Sequence, residues 1–334
     1  MKKLIYIFGY ALLLMQGNLY AQELIALEGR AGISFRGLSV VDDQVVWVSG
    51  NKGTVGKSID GGKSFEWMVV AGQETRDFRD IEAFDENTAI ILAVDSPGIV
   101  LRTIDGGKHW EQVYRNDSKG IFLDAMHFHN GRQGAIVGDP LVGKMLLLAT
   151  DNNGQSWKSL ELIAPQVAEG EACFAASGSN IISRPNTAPM LITGGMRSRV
   201  FVGSRVIELP LVQGRNSTGA NAIALRDGGR GKHWIVVGGD FSADSSRAGN
   251  IALTKNGGRS WRKVHTPPFG YRSSVAYISR KKLIAAGTSG VDISTDGGRG
   301  WKNISTTGYH VVHRAKKGKA VFLAGGNGRI AKFE

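Results

Sequence analysis

One octapeptide does most to limit what this chain can fold into. Its pattern is Ser/Thr-x-Asp/Asn-x-Gly-x-x-Trp/Phe, and it occurs five times. The copies run Ser58–Phe65, Thr103–Trp110, Thr150–Trp157, Thr254–Trp261 and Ser294–Trp301. Their aromatic ends are 45, 47, 104 and 40 residues apart. The gap of 104 is two periods, so a degenerate copy is expected near residue 205. A second recurrence fills the gap. Short apolar strands ending in a turn occur at Val45–Gly50, Ala89–Asp95, Ala135–Asp139, Met190–Gly194, Trp234–Asp240, Leu283–Gly287 and Val321–Gly325. Seven units at a mean period of about 46 residues point to an all-β, seven-bladed β-propeller, four short strands per blade. The 46 glycines beside only 8 prolines fit many tight turns between short strands.

The octapeptide reads as a staple and not as a reactive site. Each copy follows an apolar stretch and precedes another strand, which places it on a hairpin. Its Asp or Asn can bond backbone N–H groups just beyond it. Its later glycine suits positive φ. The ring is expected to pack between neighbouring blades, where it buries much area. Closure leaves its own trace. The chain ends with Ala320–Gly325 and Arg329–Phe333, and no octapeptide follows. Leu24–Leu27 is therefore expected to supply the outer strand of the last blade and close the ring, which protects edges that would otherwise aggregate.

The first residues have the form of an export signal. Lys2 and Lys3 precede an apolar run from Leu4 to Met15, and Leu19-Tyr20-Ala21 resembles a cleavage site. Residues 1–21 are thus expected to be a signal peptide, and 22–334 a single propeller domain, periplasmic or secreted. The run is short for a bilayer crossing, and no later segment reaches 18 apolar residues, so the mature chain is not expected to span a membrane. Its formal charge of +12 falls to +10 without the signal. An exported basic protein meets no nucleic acid. Acidic glycans, lipid head groups or acidic surfaces of another exported or membrane protein are the expected partners, and the chain itself is expected to be monomeric. The lone Cys173 excludes an intrachain disulfide and any CxxC site.

The octapeptides resemble Asp-box (BNR) repeats, shared by sialidases, other glycoside hydrolases and several non-enzymatic propellers. The stretch from Arg36-Gly-Leu-Ser-Val-Val-Asp-Asp to Ser58-Ile-Asp-Gly-Gly-Lys-Ser-Phe is more particular. So is its echo from Phe78-Arg-Asp-Ile-Glu-Ala-Phe to Thr103-Ile-Asp-Gly-Gly-Lys-His-Trp. Together they resemble the photosystem II stability and assembly factor family, over essentially the whole mature chain. That resemblance implies a seven-bladed propeller outside the cytoplasm. It also implies binding of a precursor protein subunit, without catalysis. Relatives in non-photosynthetic bacteria are loosely called oxidoreductases. No dinucleotide fingerprint, flavin motif or metal cluster here supports that label, and no cofactor or metal is expected. The runs Gly228–Gly231 and Gly325–Gly328 read as turns.

A propeller binds at the mouth of its central channel. Aligning the starts of the innermost strands puts Arg36, Arg79 and Arg272 at one position in three blades, each after an aromatic. Glu171 and His310 fall at or near that position in two others. The loop after each second strand, which returns to the same face, carries Asp95, Asp139 and Asp240. The insertion Phe241–Gly249 could form a lid. Two readings of this mouth stand side by side. The arginines could share one ligand carboxylate, a use that suits guanidinium forks. They could instead pair with Asp95, Asp139 and Asp240, since buried charges need partners.

The enzymatic alternative is a sialidase-like hydrolase. It would use the three arginines on a substrate carboxylate, Tyr271 or Tyr309 as nucleophile, Glu171 as base, and Asp80 or Asp95 as acid. Against it, the Arg-Ile-Pro type motif of that family is not met, because Gly-Leu follows Arg36. His127 and His129 alternate on one strand without an evident third ligand. Cys173 lies in an apolar run and reads as a buried thiol. The basic runs Arg280–Lys282 and Lys316–Lys319 read as hairpin turns, or as a docking patch for an acidic partner.

Overall fold

The computed structural model describes residues 24–185, 187–226 and 231–334. The signal-peptide segment lies outside these residues, as does most of the Gly228–Gly231 run. Seven antiparallel sheets follow one another in chain order and close into a ring. Blade 1 is Phe35–Val40, Val46–Gly50, Thr54–Ser58 and Glu66–Val69. Blade 2 is Phe78–Ala83, Ala89–Ala93, Gly98–Thr103 and Glu111–Asn116. Blade 3 is Leu123–Phe128, Gly134–Leu141, Lys144–Thr150 and Lys158–Ser159. Blade 4 is Ile181–Ile182, Met190–Ile192, Arg199–Val202 and Arg205–Glu208. Blade 5 has Thr218–Leu225, Trp234–Asp240 and Ile251–Thr254, its outer strand reduced to one bridge between Leu253 and Arg262. Blade 6 is Ser274–Tyr277, Leu283–Gly287, Gly290–Ser294 and Lys302–Ser305. Blade 7 is Val311–Arg314, Val321–Ala324 and Ile330–Phe333 with Leu24–Leu27 outermost.

The expected closure is present. Leu24–Leu27 pairs antiparallel with Ile330–Phe333, Leu24 opposite Phe333 and Leu27 opposite Ile330. The seven apolar runs are the second strands. They are buried on both faces because each blade is covered by a neighbour on either side, so their apolar character is continuous and not alternating. Between adjacent blades lie seven separate apolar clusters, one per interface.

Each octapeptide closes the hairpin between third and fourth strands by one repeated hydrogen-bond scheme. In the second copy, Thr103 Oγ1 donates to Asp105 Oδ1 at 2.9 Å and accepts the Gly107 N–H at 3.0 Å, while Asp105 Oδ1 accepts the His109 N–H at 3.0 Å. The other copies repeat it from Ser58, Thr150, Thr254 and Ser294. Gly107 has φ +91°, and a Cβ there would lie 2.7 Å from the Met68 sulfur of blade 1. Glycine is needed there both for conformation and for the approach of the next blade. The rings Phe65, Trp110, Trp157, Trp261 and Trp301 each join the cluster between their own blade and the one before it. Blade 4 carries no octapeptide. Its hairpin is a tight turn at Gly203 and Ser204, which is where the degenerate copy was expected.

Blade 4 is also the irregular one. Glu171–Ala172 pairs with Gly194–Gly195, and Gly194 pairs with Gly219 of blade 5, so the two blades are laced together. Cys173 follows this two-residue strand and is buried; its sulfur faces the Ile192 carbonyl at 3.4 Å, and burial pushes its thiol pKa up.

Candidate functional site

The innermost strands enter the ring from one face, and most of them begin with a β-bulge. In blades 1, 2, 3 and 5 the register shifts leave Arg36, Arg79, Asp124 and Asn221 as the extra residues. In blade 6, Ser273 donates its N–H to the Ala286 carbonyl while Ser274 is paired with the same Ala286, which makes Ser273 the equivalent residue. In blade 7 the equivalent is His310, whose N–H goes to the Ala324 carbonyl while Val311 faces Ala324. Every one of these six positions is polar. A bulge re-aims a side chain that regular alternation would bury between blades, and here it turns polar groups toward the channel.

Three of the expected residues meet at this mouth. Arg36 is largely desolvated, and its guanidinium feels Arg79, Tyr271 and Asp77. Burial, then the Arg79 charge, lower its pKa. Among the described residues it has neither a hydrogen-bond partner nor an ion-pair partner. Arg79 donates from Nε to Asp77 Oδ2 at 2.7 Å and lies over the Phe122 ring at 5.8 Å. The His310 imidazole is held near Arg36, Arg329 and Arg79. Burial first, then those cations, push its pKa down to about 3, and its Nδ1 is buried without a partner.

Carboxylates stand on the blade 3 side. Asp139 and Asp124 face each other, with the Cys173 N–H directed at Asp139. Burial raises Asp139 to about 6 and, with the neighbouring carboxylate, raises Asp124 further. Each carboxyl is held above its ordinary range, the usual direction for two close buried carboxyls. The rim is aromatic. Phe241 contacts Phe174 edge-on at 5.7 Å and Tyr271 at 6.2 Å, and Arg247 stacks over Phe269 at 4.3 Å. The insertion Phe241–Gly249 is thus packed onto the rim. The Asp244 carbonyl accepts from the Tyr271 N–H at 2.8 Å, and the Gly249 carbonyl from the Val212 N–H at 2.9 Å.

Other expected residues are elsewhere. Arg272 is one residue away from the aligned position, because Ser273 takes the bulge. It is fully buried inside blade 6 and bonded through Nε to Asp292 Oδ2 at 2.6 Å. Asp240 caps the Ser242 N–H at 2.9 Å. Asp95 is exposed, and its carbonyl accepts from Arg76. The expected pairing of Arg36, Arg79 and Arg272 with Asp95, Asp139 and Asp240 is therefore replaced by Asp77 for Arg79, Asp292 for Arg272, and nothing for Arg36. Glu171 is buried in an ion pair with Arg199, whose Nε lies 2.8 Å from its Oε1, and it also accepts from Thr193 Oγ1 at 2.6 Å. Nothing in the sequence marks Arg199 as its partner. Asp124 and Asn221 are bulge residues outside the sequence expectation, although each is a polar residue two places before an apolar strand centre.

The sialidase-like roles have no support in this geometry. The Tyr271 hydroxyl donates to Asn221 Oδ1 at 2.7 Å, and burial pushes its pKa up, the wrong direction for a nucleophile. Tyr309 is buried in the cluster between blades 6 and 7, and burial raises its pKa as well. Glu171 is committed to Arg199, and Asp95 is on the outer rim.

The opposite face, where the octapeptide turns sit, has a second opening. A cavity of about 580 Å³ is lined by Asp80, Glu82, His127, Ser179, His313 and Lys316, among others. Lys316 Nζ bonds Glu82 at 2.8 Å, Ser39 Oγ at 3.0 Å and the Ala83 carbonyl at 2.8 Å. His127 Nδ1 accepts the Ser183 N–H at 3.1 Å. His129 lies beside Asn130 at 3.0 Å and lines the same cavity as His127. Among the described residues no group of three or more His, Cys, Asp or Glu side chains could hold a metal ion. The basic runs Arg280–Lys282 and Lys316–Lys319 are hairpin turns on this face, the second capped by Asp43 at 2.7 Å.

Residues 66–178 match the family described as photosynthesis system II assembly factor YCF48. The chain resembles the photosystem II assembly factor family. Similar solved structures include YCF48 bound to D1 peptide, at TM-score 0.64 and 15% identity, covering 93% of this chain and 96% of that one. YCF48 from Cyanidioschyzon merolae follows at TM-score 0.62 and 17% identity, covering 94% and 99%. The WD40 β-propeller domain of Doa1 is similar at TM-score 0.61 and 14% identity, covering 94% and 97%. At such identities these likenesses speak for the fold, which the YCF48 structures and a WD40 propeller share. No curated protein matches the sequence.

Proposed function

We propose that this chain is an exported, non-catalytic propeller that serves as a binding or assembly scaffold for another protein. It takes a carboxylate-bearing peptide segment at the channel mouth formed by Arg36, Arg79 and His310. One observation carries the reading: Arg36 is a largely desolvated guanidinium with no partner. Its nearest carboxylate, Asp77, is bonded to Arg79, so the partly buried Arg36 cation is under-compensated, and a ligand carboxylate would complete its pairing. The aromatic rim of Phe174, Phe241 and Tyr271 offers apolar contact beside it. The solved relative YCF48 bound to D1 peptide supports a peptide as the ligand class. The basic balance of the chain favours acidic partners.

The test is calorimetric titration with synthetic acidic peptides, each as the free C-terminal acid and as the amide, at low and high salt. The free acid should bind in the micromolar range. Arg36→Ala should weaken it about tenfold to a hundredfold, the cost of one charge-assisted pair. The amide should lose a similar amount if the α-carboxylate is the group taken. A free acid that binds the wild type and the Arg36→Ala variant equally, or neither, would discard this site.

A further inference from the structure

The repeat has one unfilled place, and its neighbours show what fits there. At the interface of blades 2 and 3, Trp157 rests on Phe128 at 5.8 Å and joins the cluster that contains Ile90 and Val113. The same layer one blade further on is different. Ile90 is opposite Arg102, the residue before an octapeptide; its equivalent opposite Ala149 is Ala135. Phe128 is opposite Gly134; by register, its equivalent in blade 4 is Ser183, the residue after Ile182. The ring itself is missing because blade 4 has no octapeptide. Three bulky groups have therefore become small or vanished at one interface.

The result is a cavity of about 410 Å³ lined by Gly134, Ala135, Ala149, Leu160, Ile163 and Ser183, among others. Its size is that of a small-ligand site. The other interface that lacks a ring of this kind, between blades 6 and 7, is filled by Leu24 and Phe333. Ile163 is 53% exposed and its neighbour Leu162 is 99% exposed, so the cavity continues into an apolar surface. Lys158 and Arg184 also line the opening, with Asp151 as the carboxylate beside them. Neither cation has a hydrogen-bond or ion-pair partner among the described residues.

We infer that the slot between blades 3 and 4 receives an aromatic side chain from a turn of a partner protein, one that carries an acidic neighbour for Lys158 and Arg184. The inserted ring completes the layer as Trp157 does one interface earlier. The slot is on the octapeptide face, away from Arg36, so a partner could be held at both faces. Only the choice of a protein as occupant rests on the scaffold reading above.

The probe is a synthetic octapeptide with the sequence of residues 103–110 and blocked ends, alongside versions with Trp replaced by Ala and with Lys replaced by Glu. Binding is followed by chemical-shift perturbation in the folded chain. The Trp peptide should bind, the Glu version more tightly, and the Ala version at least tenfold more weakly. Ser183→Phe and Ala135→Ile, which restore the two side chains that seat Trp157 one interface earlier, should each tighten binding of the Trp peptide at least threefold while melting no lower than wild type. Arg36→Ala should leave it unchanged, which separates failure here from failure of the channel-mouth site. Equal binding of the Trp and Ala peptides, or no tightening by either filling substitution, overturns the inference. If both fillings lower the melting temperature, Ser183→Leu with Ala135→Val replaces them under the same criterion.

Discussion

At the residue scale, the hydroxyl that opens each octapeptide matters as much as the Asp that names it. Thr103 is buried, and its oxygen is the acceptor for the Gly107 N–H. Thr103→Val keeps the volume and removes the acceptor, leaving a buried N–H unsatisfied. We expect a loss of about 1–3 kcal/mol, read as a lower denaturant midpoint at unchanged slope. An unchanged midpoint would show that water replaces the hydroxyl. The paired Asp carboxylates gain from the same turns. Hydrogen bonds from Ser64 and Ser58 hold Asp60 down at about 2. These residues sit on exposed turns, and their role is local geometry.

At the scale of elements, the ring depends on a strand placed about 300 residues from its partner. Without Leu24–Leu27, Ile330–Phe333 becomes a bare edge, and Leu27 no longer packs beside Phe322 over Gly62. Deleting residues 24–27 should lower the melting temperature of the whole ring by several degrees and promote aggregation. A deletion variant that melts like the parent would show that the last blade is stable with three strands. The bulges act at this scale too. They were invisible as such in the sequence, where only the aromatic-Arg pairs stood out. Arg272 therefore shares the sequence pattern of Arg36 and Arg79 without sharing their bulge. Its aromatic-Arg pair is real, yet Ser273 occupies the bulge, and the guanidinium turns inward to Asp292.

At the scale of the whole molecule, the channel stores ionisable groups in their neutral forms, and stability should depend on pH accordingly. Burial lowers His127 and His313 to about 4 and His310 to about 3. Unfolded histidines take up protons near pH 6.5, while these do not, so they remove stability as pH falls from about 6.5 to 4. Asp80 has the opposite sign. Burial raises it to about 8, despite hydrogen bonds from the Met126 and Ile81 N–H groups and the charge of Lys316. The folded state then holds a proton that the unfolded state has lost, and stability falls as pH rises toward 8. Asp124 and Asp139 act in the same direction as Asp80. Between pH 4 and 6.5 the two sets oppose one another. Above about pH 7 the histidines are mostly neutral in both states, and Asp80 contributes a decline of at most about 1.4 kcal/mol per pH unit. Melting temperature should therefore fall from pH 7 to 8, and Asp80→Asn should flatten that fall. Equal slopes in the two proteins would show that Asp80 ionises freely.

The sequence alone determined the architecture, because repetition is a one-dimensional signal. Five octapeptides and seven apolar runs set the blade number, the hairpin positions, a third-to-fourth-strand hairpin near residue 205 and the need for a closing strand at Leu24–Leu27. Each of these depends on neighbours in sequence or on the period. The identities of charge partners do not. Asp77 for Arg79, Asp292 for Arg272, Arg199 for Glu171 and no partner for Arg36 depend on bulges that rotate single side chains, and on which blades touch across the ring. The unfilled slot has the same origin. Ala135 and Ser183 look unremarked in their own strands, and only the ring geometry brings their smallness together where a tryptophan is missing.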